Sequence, residues 1–292
     1  MDNELRMKLA DLGSPEELAA CIIAHYPDIE IPVAVNRVAH AVGIIDLIPQ
    51  TTSAFEGVLV TDDAKSTGSI ADNEASRLER RCFTVAHEIG HFLIPWHDAS
   101  AQCAIADMGV LRSRDTRKSK EAEANRFAAA LLTPTALFTR DVRRFGAPET
   151  GHVLALATKY RVSKEMAARR YTELCDHVCA VIFSHRGAVR YFVKSKSCPF
   201  LDVVRGNPLP PGSVSARARS EVGHLSEWTE TSPAIWFRAS RRITGKVVLY
   251  EQFFEQRDGY RLTMLTIDNL PDEDEPDEDQ ELEESWSFRF KR

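Results

Sequence analysis

The pentapeptide His87-Glu88-Ile89-Gly90-His91 constrains this chain more than any other stretch, because it continues an apolar run, Cys82-Phe83-Thr84-Val85-Ala86, of helical periodicity. On a helix, residues four apart share a face, so both imidazoles project toward a single metal ion. Glu88 is turned away from that face and suits holding a water beside the metal rather than the metal itself. Zinc lowers the pKa of a bound water to about 7, and a neighbouring carboxylate can take its proton as general base. The same spacing also arises where two histidines merely pack on a helix face. The apolar setting weighs against that reading.

A third ligand is required, and two residues offer one. His97 stands six residues after His91, the spacing of the metzincin pattern HExxHxxGxxH, although Ile94 occupies its glycine position and Pro95 follows. Glu121 opens the helical stretch EAEANRFAAALLTP. On that helix Glu121, Asn125 and Ala128 share a face beside the small residues Ala124 and Ala129. Small residues let a second helix approach the first within carboxylate reach of the metal. Glu123 points elsewhere by the same geometry. Glu121 is therefore favoured over His97, which stays open as the alternative.

The rest of the chain supplies context. Its 292 residues are 43% hydrophobic and 27% charged, enough for a sizeable core in one large domain or two ordinary ones. No run reaches the ~18 apolar residues of a membrane span. The first residues lack the plan of a secretory signal, and six cysteines without CxxC pairing fit reduced thiols, so a cytoplasmic protein is expected. Cys175 and Cys179 are expected to be ordinary buried thiols. The net charge of -6 conceals an acidic stretch, PDEDEPDEDQELEE at 271–284, whose ten carboxylates leave the remainder at +4 when set aside.

Local patterns predict an α+β chain. Ser14-Pro15-Glu16-Glu17 reads as a helix start, and PVAVNRVAHAVG at 32–43 as a short helix ending at Gly43. Strands are expected at 44–48, 56–60 and 68–71, a helix over 75–93, a polar loop over 97–119 and a helix from about 120 to 132. Residues 136–177 read as helices, the last two joined through Arg161-Val162-Ser163 in the outline of a helix-turn-helix. From 178 to 268 the runs CAVIF, AVRYFV, AIWFRA, KVVLYEQFF and YRLTMLTI predict a β-rich domain. Residues 269–292 read as an acidic linker and an aromatic tail, SWSFRFKR.

The two motifs in order, FTVAHEIGH and then EAEANRFAAALLTP, resemble the ImmA/IrrE family of metallopeptidases. The Glu56-Gly57 strand and the VSKEMAARRY segment extend the resemblance to about residues 30–175, while Thr133 stands where a methionine is common. The resemblance implies a zincin-like fold over residues 1–135, with zinc held by His87, His91 and Glu121 and with Glu88 as catalytic base. It further implies a cytosolic endopeptidase that cleaves a partner helix-turn-helix repressor, derepressing stress, DNA-damage or mobile-element genes. The β-rich extension is similar to the GAF-like sensor domain of the longer members.

Two imidazoles and a carboxylate also accept other divalent ions, Mn2+ among them. An extended substrate is expected to add to a sheet edge at Gly57–Val60 or Ser69–Ala71, with His152 and His97 as candidate oxyanion donors. DNA is a weaker candidate partner: Lys159, Arg161, Lys164, Arg169 and Arg170 are spread over two faces. The rival readings are a non-catalytic DNA-binding or sensor regulator and a toxin-antitoxin partner protein built on the same core.

Overall fold

The computed structural model describes residues 2–98, 100–103, 116–237 and 247–270; the acidic stretch and the aromatic tail lie outside the described residues. These divide into two compact units, one of residues up to 135 with 158–163, the other of residues 136–157 with those from 164 onward.

The first unit opens with α1 (Asn3–Leu9), which local pattern did not predict, and α2 (Pro15–His25). Ser14 caps α2 by accepting from the Glu17 N–H, with Pro15 at the first helical position, where no N–H is needed. Next comes α3 (Val35–Val42), closed by Gly43 at φ 116°, a conformation that favours glycine. Three strands follow: β1 (Ile44–Gln50), β2 (Gly57–Thr61) and β3 (Gly68–Asn73). The chain then forms α4 (Leu78–Leu93), β4 (Ser100–Cys103) and α5 (Thr116–Leu132). The expected polar loop thus contains a strand and the first turn of α5.

The sheet order is β1-β3-β2-β4, with β1 and β3 parallel and the other pairs antiparallel. This corrects the expected site of substrate addition. Gly57–Val60 and Ser69–Ala71 lie on the two interior strands, whose backbone groups are already paired on both sides. Among the described strands, the edges of this sheet are β1 and β4. Ile44, Leu59 and Ile70 are buried, and α4 packs against β2 and β3 while α5 packs against α4 and α2. A helix covered this way must be apolar on most of its surface, which accounts for the run before His87.

The C-terminus of α4 carries carbonyls that have no helical partner. Lys65, on the β2–β3 turn at φ 47°, donates its ammonium to the His91 and Ile94 carbonyls at 2.8 and 2.9 Å. Lys65→Met is expected to cost about 1–2 kcal/mol in urea unfolding of this unit, since a charge-assisted cap is lost. An unchanged midpoint would show that the cap contributes nothing.

The second unit takes α6 (Thr135–Val142) from Ala136, α7 (Thr150–Tyr160) as far as Ala157, and α8 (Lys164–Leu174); α7 and α8 are joined through Arg161 at φ 53°. It continues with β5 (Cys179–His185), β6 (Ala188–Lys194), the short α9 (Val214–Arg217), β7 (Thr229–Thr231), β8 (Val248–Glu255) and β9 (Tyr260–Asp268). The sheet is antiparallel throughout, in the order β6-β5-β9-β8-β7. Its core gathers Ile182, Leu201, Trp236, Phe237, Leu249 and Leu265. The buried Glu251 accepts from the Val214 and Ser215 N–H groups and from Trp236 Nε1, so every donor there meets a carboxylate oxygen.

AIWFRA was expected as a strand. Instead Pro233–Ile235 form a 3-10 turn, closed by the Trp236 N–H on the Pro233 carbonyl, and Trp236 drops into the core. Proline has no N–H for a ladder, which disfavours the strand here. The second helix of the helix-turn-helix outline, α8, packs on β5 and β6. Its polar residues are engaged locally, Glu165 with Arg190 at 2.8 Å and Arg170 with Glu173 at 2.9 Å. Of the described thiols, Cys179 is buried and Cys175 half-buried, and both are free. No described helix is long and apolar enough to cross a membrane.

Candidate metal centre

Three side chains converge where α4 meets α5. His87 Nε2 lies 3.1 Å from His91 Nε2, Glu121 Oε2 lies 3.2 Å from His87 Nε2, and Glu121 Oε1 lies 3.6 Å from His91 Nε2. Among the described residues these three make the one cluster of histidine, cysteine and carboxylate donors with metal-binding spacing. Donors bound at about 2.0–2.1 Å around a tetrahedral ion stand about 3.4 Å apart, so the triangle fits a small divalent cation.

Close helix packing makes the convergence possible. A Cβ on Gly90 would lie 3.1 Å from Phe127 Cδ1 and 3.2 Å from Ala124 Cα. Glycine on α4 facing alanine on α5 is what brings Glu121 within reach of the imidazoles. Asn125, one turn after Glu121, places its Oδ1 3.0 Å from His87 Nδ1. An Asn oxygen can only accept, so His87 carries its proton on Nδ1 and presents the Nε2 lone pair to the cluster.

The electrostatics are those of a site made for positive charge. Burial pushes the Glu121 carboxyl up, but hydrogen bonds from His87 and His91 outweigh it and hold the group well below the ordinary carboxylate range. Burial also pushes both imidazoles down. Glu121 reverses this for His87, whose pKa is raised, whereas His91 stays at about 4. The Glu121 carboxylate is thus the group that favours positive charge at this point, against the cost of burial.

Glu88 is fully buried on the next face of α4, pressed against the start of β2. A Cβ on Gly57 would lie 2.6 Å from Glu88 Oε1 and closer still to Thr84 Cγ2, so only glycine lets the strand cross here. The Glu56-Gly57 pair was legible as part of a motif. Its reason is this close approach.

His97, the alternative third ligand, stands outside the donor triangle, with its Nδ1 2.9 Å from His91 Nδ1. Its Nε2 lies 3.0 Å from Glu123 Oε2, which also accepts from Trp96 Nε1 at 2.7 Å. Glu123 does point away from the cluster, toward His97. His152 belongs to the second unit, where it stacks on Phe145 at 4.1 Å and meets the Tyr171 hydroxyl at 3.3 Å. Sequence reasoning missed Asn125 as a partner of His87 and Glu123 as a partner of His97. Their shared helix with Glu121 was the available signal.

Residues 45–172, a span that includes α4 and α5, match the family model of the IrrE N-terminal-like domain, a peptidase family. Among solved structures, a Mycobacterium tuberculosis transcriptional regulator superposes with a TM-score of 0.58 at 12% identity, over 90% of this chain and 80% of that one. At that identity the likeness concerns the fold alone. No curated protein matches the chain. The match over both motif-bearing helices bears out the resemblance: residues 45–172 of this chain match an IrrE N-terminal-like peptidase domain.

Proposed function

We propose that this protein is a cytoplasmic zinc-dependent endopeptidase that cleaves a helix-turn-helix transcriptional repressor and thereby derepresses stress or mobile-element genes. The observation that carries the reading is the convergence of His87, His91 and Glu121 with the buried Glu88 carboxylate on the neighbouring face of the same helix. These three residues would hold the ion. When bound, a zinc ion supplies Lewis acidity toward a peptide carbonyl and acidifies water.

Glu88 then does the proton work: it takes the proton of the attacking water, holds it within a water-poor wall formed by Gly57 and Thr84, and returns it to the leaving amine. Asn125 keeps the His87 lone pair aimed at the ion. The open edge of β4, paired to β2 with Gly57 opposite Cys103, offers backbone groups to an extended substrate beside Glu88. In this reading residues 136–177 are a helix-turn-helix-like segment, 178–268 a β-rich sensor domain and 269–292 an acidic linker with an aromatic tail; the five-stranded antiparallel sheet supports the β-rich assignment. The packing of α8 on its own sheet disfavours duplex DNA as its partner.

The direct test is incubation of the zinc-loaded protein with purified helix-turn-helix repressors, cut sites being read by mass spectrometry. Cleavage of one repressor at a fixed bond, abolished by chelator and restored by zinc, is expected. Cleavage indifferent to chelator would remove the metallopeptidase reading. A second expectation concerns the strand crossing: Gly57→Ala should lower cleavage about 100-fold with metal content unchanged, because a displacement of about 1 Å in a catalytic group costs that much. A wild-type rate would show that Glu88 needs no such clearance.

A further inference from the structure

We infer that His97 and Glu123 form a relay that fixes the tautomer of His91 and so sets the metal affinity of the site. They are positioning residues rather than ligands. The inference rests on the metal reading above and extends it to side chains outside the donor triangle.

For His91 to offer its Nε2 lone pair toward His87 Nε2 and Glu121, its proton must sit on Nδ1. That nitrogen faces His97 Nδ1 at 2.9 Å, so His97 must accept there and carry its own proton on Nε2. His97 Nε2 faces Glu123 Oε2 at 3.0 Å, and a carboxylate can only accept. The reverse assignment would set an imidazole lone pair against a carboxylate oxygen. The anion at the far end therefore decides the direction of every bond back to the ligand.

The relay is built into the fold. The His97 side chain has no solvent exposure, and both His91 and His97 are buried. Glu123 is held in turn by Trp96 Nε1 at 2.7 Å and Ser119 Oγ at 3.3 Å. Glu121 and Glu123 lie on the same helix, so α5 delivers one carboxylate to the cluster and a second to the far side of His91. The two histidines are thus oriented by different means. His87 leans on the neutral Asn125, and His91 on a histidine backed by an anion.

The test is zinc affinity, measured with zinc chloride against a competing chromophoric chelator, for the full chain and for His97→Ala, Glu123→Ala and Glu123→Gln. The dissociation constant is expected to rise about 10–100-fold in His97→Ala and about 10-fold in Glu123→Ala. Glu123→Gln, whose amide oxygen still accepts from His97, should stay within about threefold of wild type. Two-bond 1H–15N spectra of histidine-labelled protein should show His97 protonated on Nε2 in wild type and in Glu123→Gln, and a tautomer mixture in Glu123→Ala.

Wild-type affinity in both alanine variants overturns the relay. So does complete loss of stoichiometric zinc in His97→Ala with the fold retained by circular dichroism, since that would make His97 a ligand. If His97→Ala does not fold, the Glu123 pair decides. Absence of zinc binding by the wild-type chain would instead defeat the metal reading itself, a result distinct from the others.

Discussion

Replacing Glu88 by glutamine is expected to lower the rate of repressor cleavage by about 10²–10⁴ while metal content stays as in the wild type. The size follows from the role: glutamine keeps the shape and one acceptor oxygen but cannot take or return a proton. The specificity follows from position. Glu88 lies against the start of β2 and is not one of the three converging donors His87, His91 and Glu121, so its replacement leaves every proposed ligand in place. Its side chain is fully buried, and an uncharged isostere of the same volume should be tolerated there. Cleavage at the wild-type rate by a zinc-loaded Glu88→Gln protein would refute the assignment. Loss of metal in the same variant would place Glu88 among the ligands.

The second large effect is on stability. Zinc added at about 1,000 times its dissociation constant should stabilise the first unit by about 4 kcal/mol, because the ion binds the folded donor triangle and not the separated helices. For a unit of this size that corresponds to about 8–16 °C in the unfolding midpoint. The shift should vanish in His91→Ala and shrink in Glu121→Ala, the donors coming from α4 and α5 respectively. A midpoint that ignores zinc in the wild type would mean that the triangle holds no ion. Metal-free His91→Ala also removes one of two imidazoles competing for Glu121, so its own midpoint must be the baseline for the comparison.

Much of this was legible in the sequence, for reasons that differ by element. Ser14 and Gly43 mark helix ends because capping is a local event, and both do so in the structure. The HExxH run and the small residues of α5 announced two helices packed closely, and Gly90 against Ala124 is that packing. Strand order was not legible. β3 inserts between β1 and β2, pairing in parallel with one and antiparallel with the other, and no local periodicity encodes such a choice. The expected substrate edge failed for this reason alone.

The environment of the candidate site was half legible. Spacing placed Glu121, Asn125 and Ala128 on one face, yet it could not say that Asn125 would meet His87 Nδ1, since that depends on the crossing of two helices. His97 had the right sequence distance for a ligand. The chain leaves α4 at Ile94 without the turn a glycine would give, and the ring ends against the back of His91. The β4 strand within a polar stretch and the 3-10 turn before Trp236 were overridden by pairing and burial respectively.

The contact between Gly90 and the Ala124–Phe127 turn of α5 has one further consequence. It works as a calliper. The gap between the two helices sets the two edges of the donor triangle that reach Glu121, 3.2 and 3.6 Å, while the 3.1 Å edge between His87 and His91 is set by their one-turn spacing on α4. Ions with bonds of about 2.0–2.2 Å match that gap. Calcium, with bonds of about 2.3–2.6 Å and a preference for six or more oxygens, would have to prise the helices apart. On the proposed metal reading, discrimination by ionic radius would be set by a glycine and an alanine outside the donor triangle, and larger side chains at either position would retune the site for a larger ion at the expense of packing.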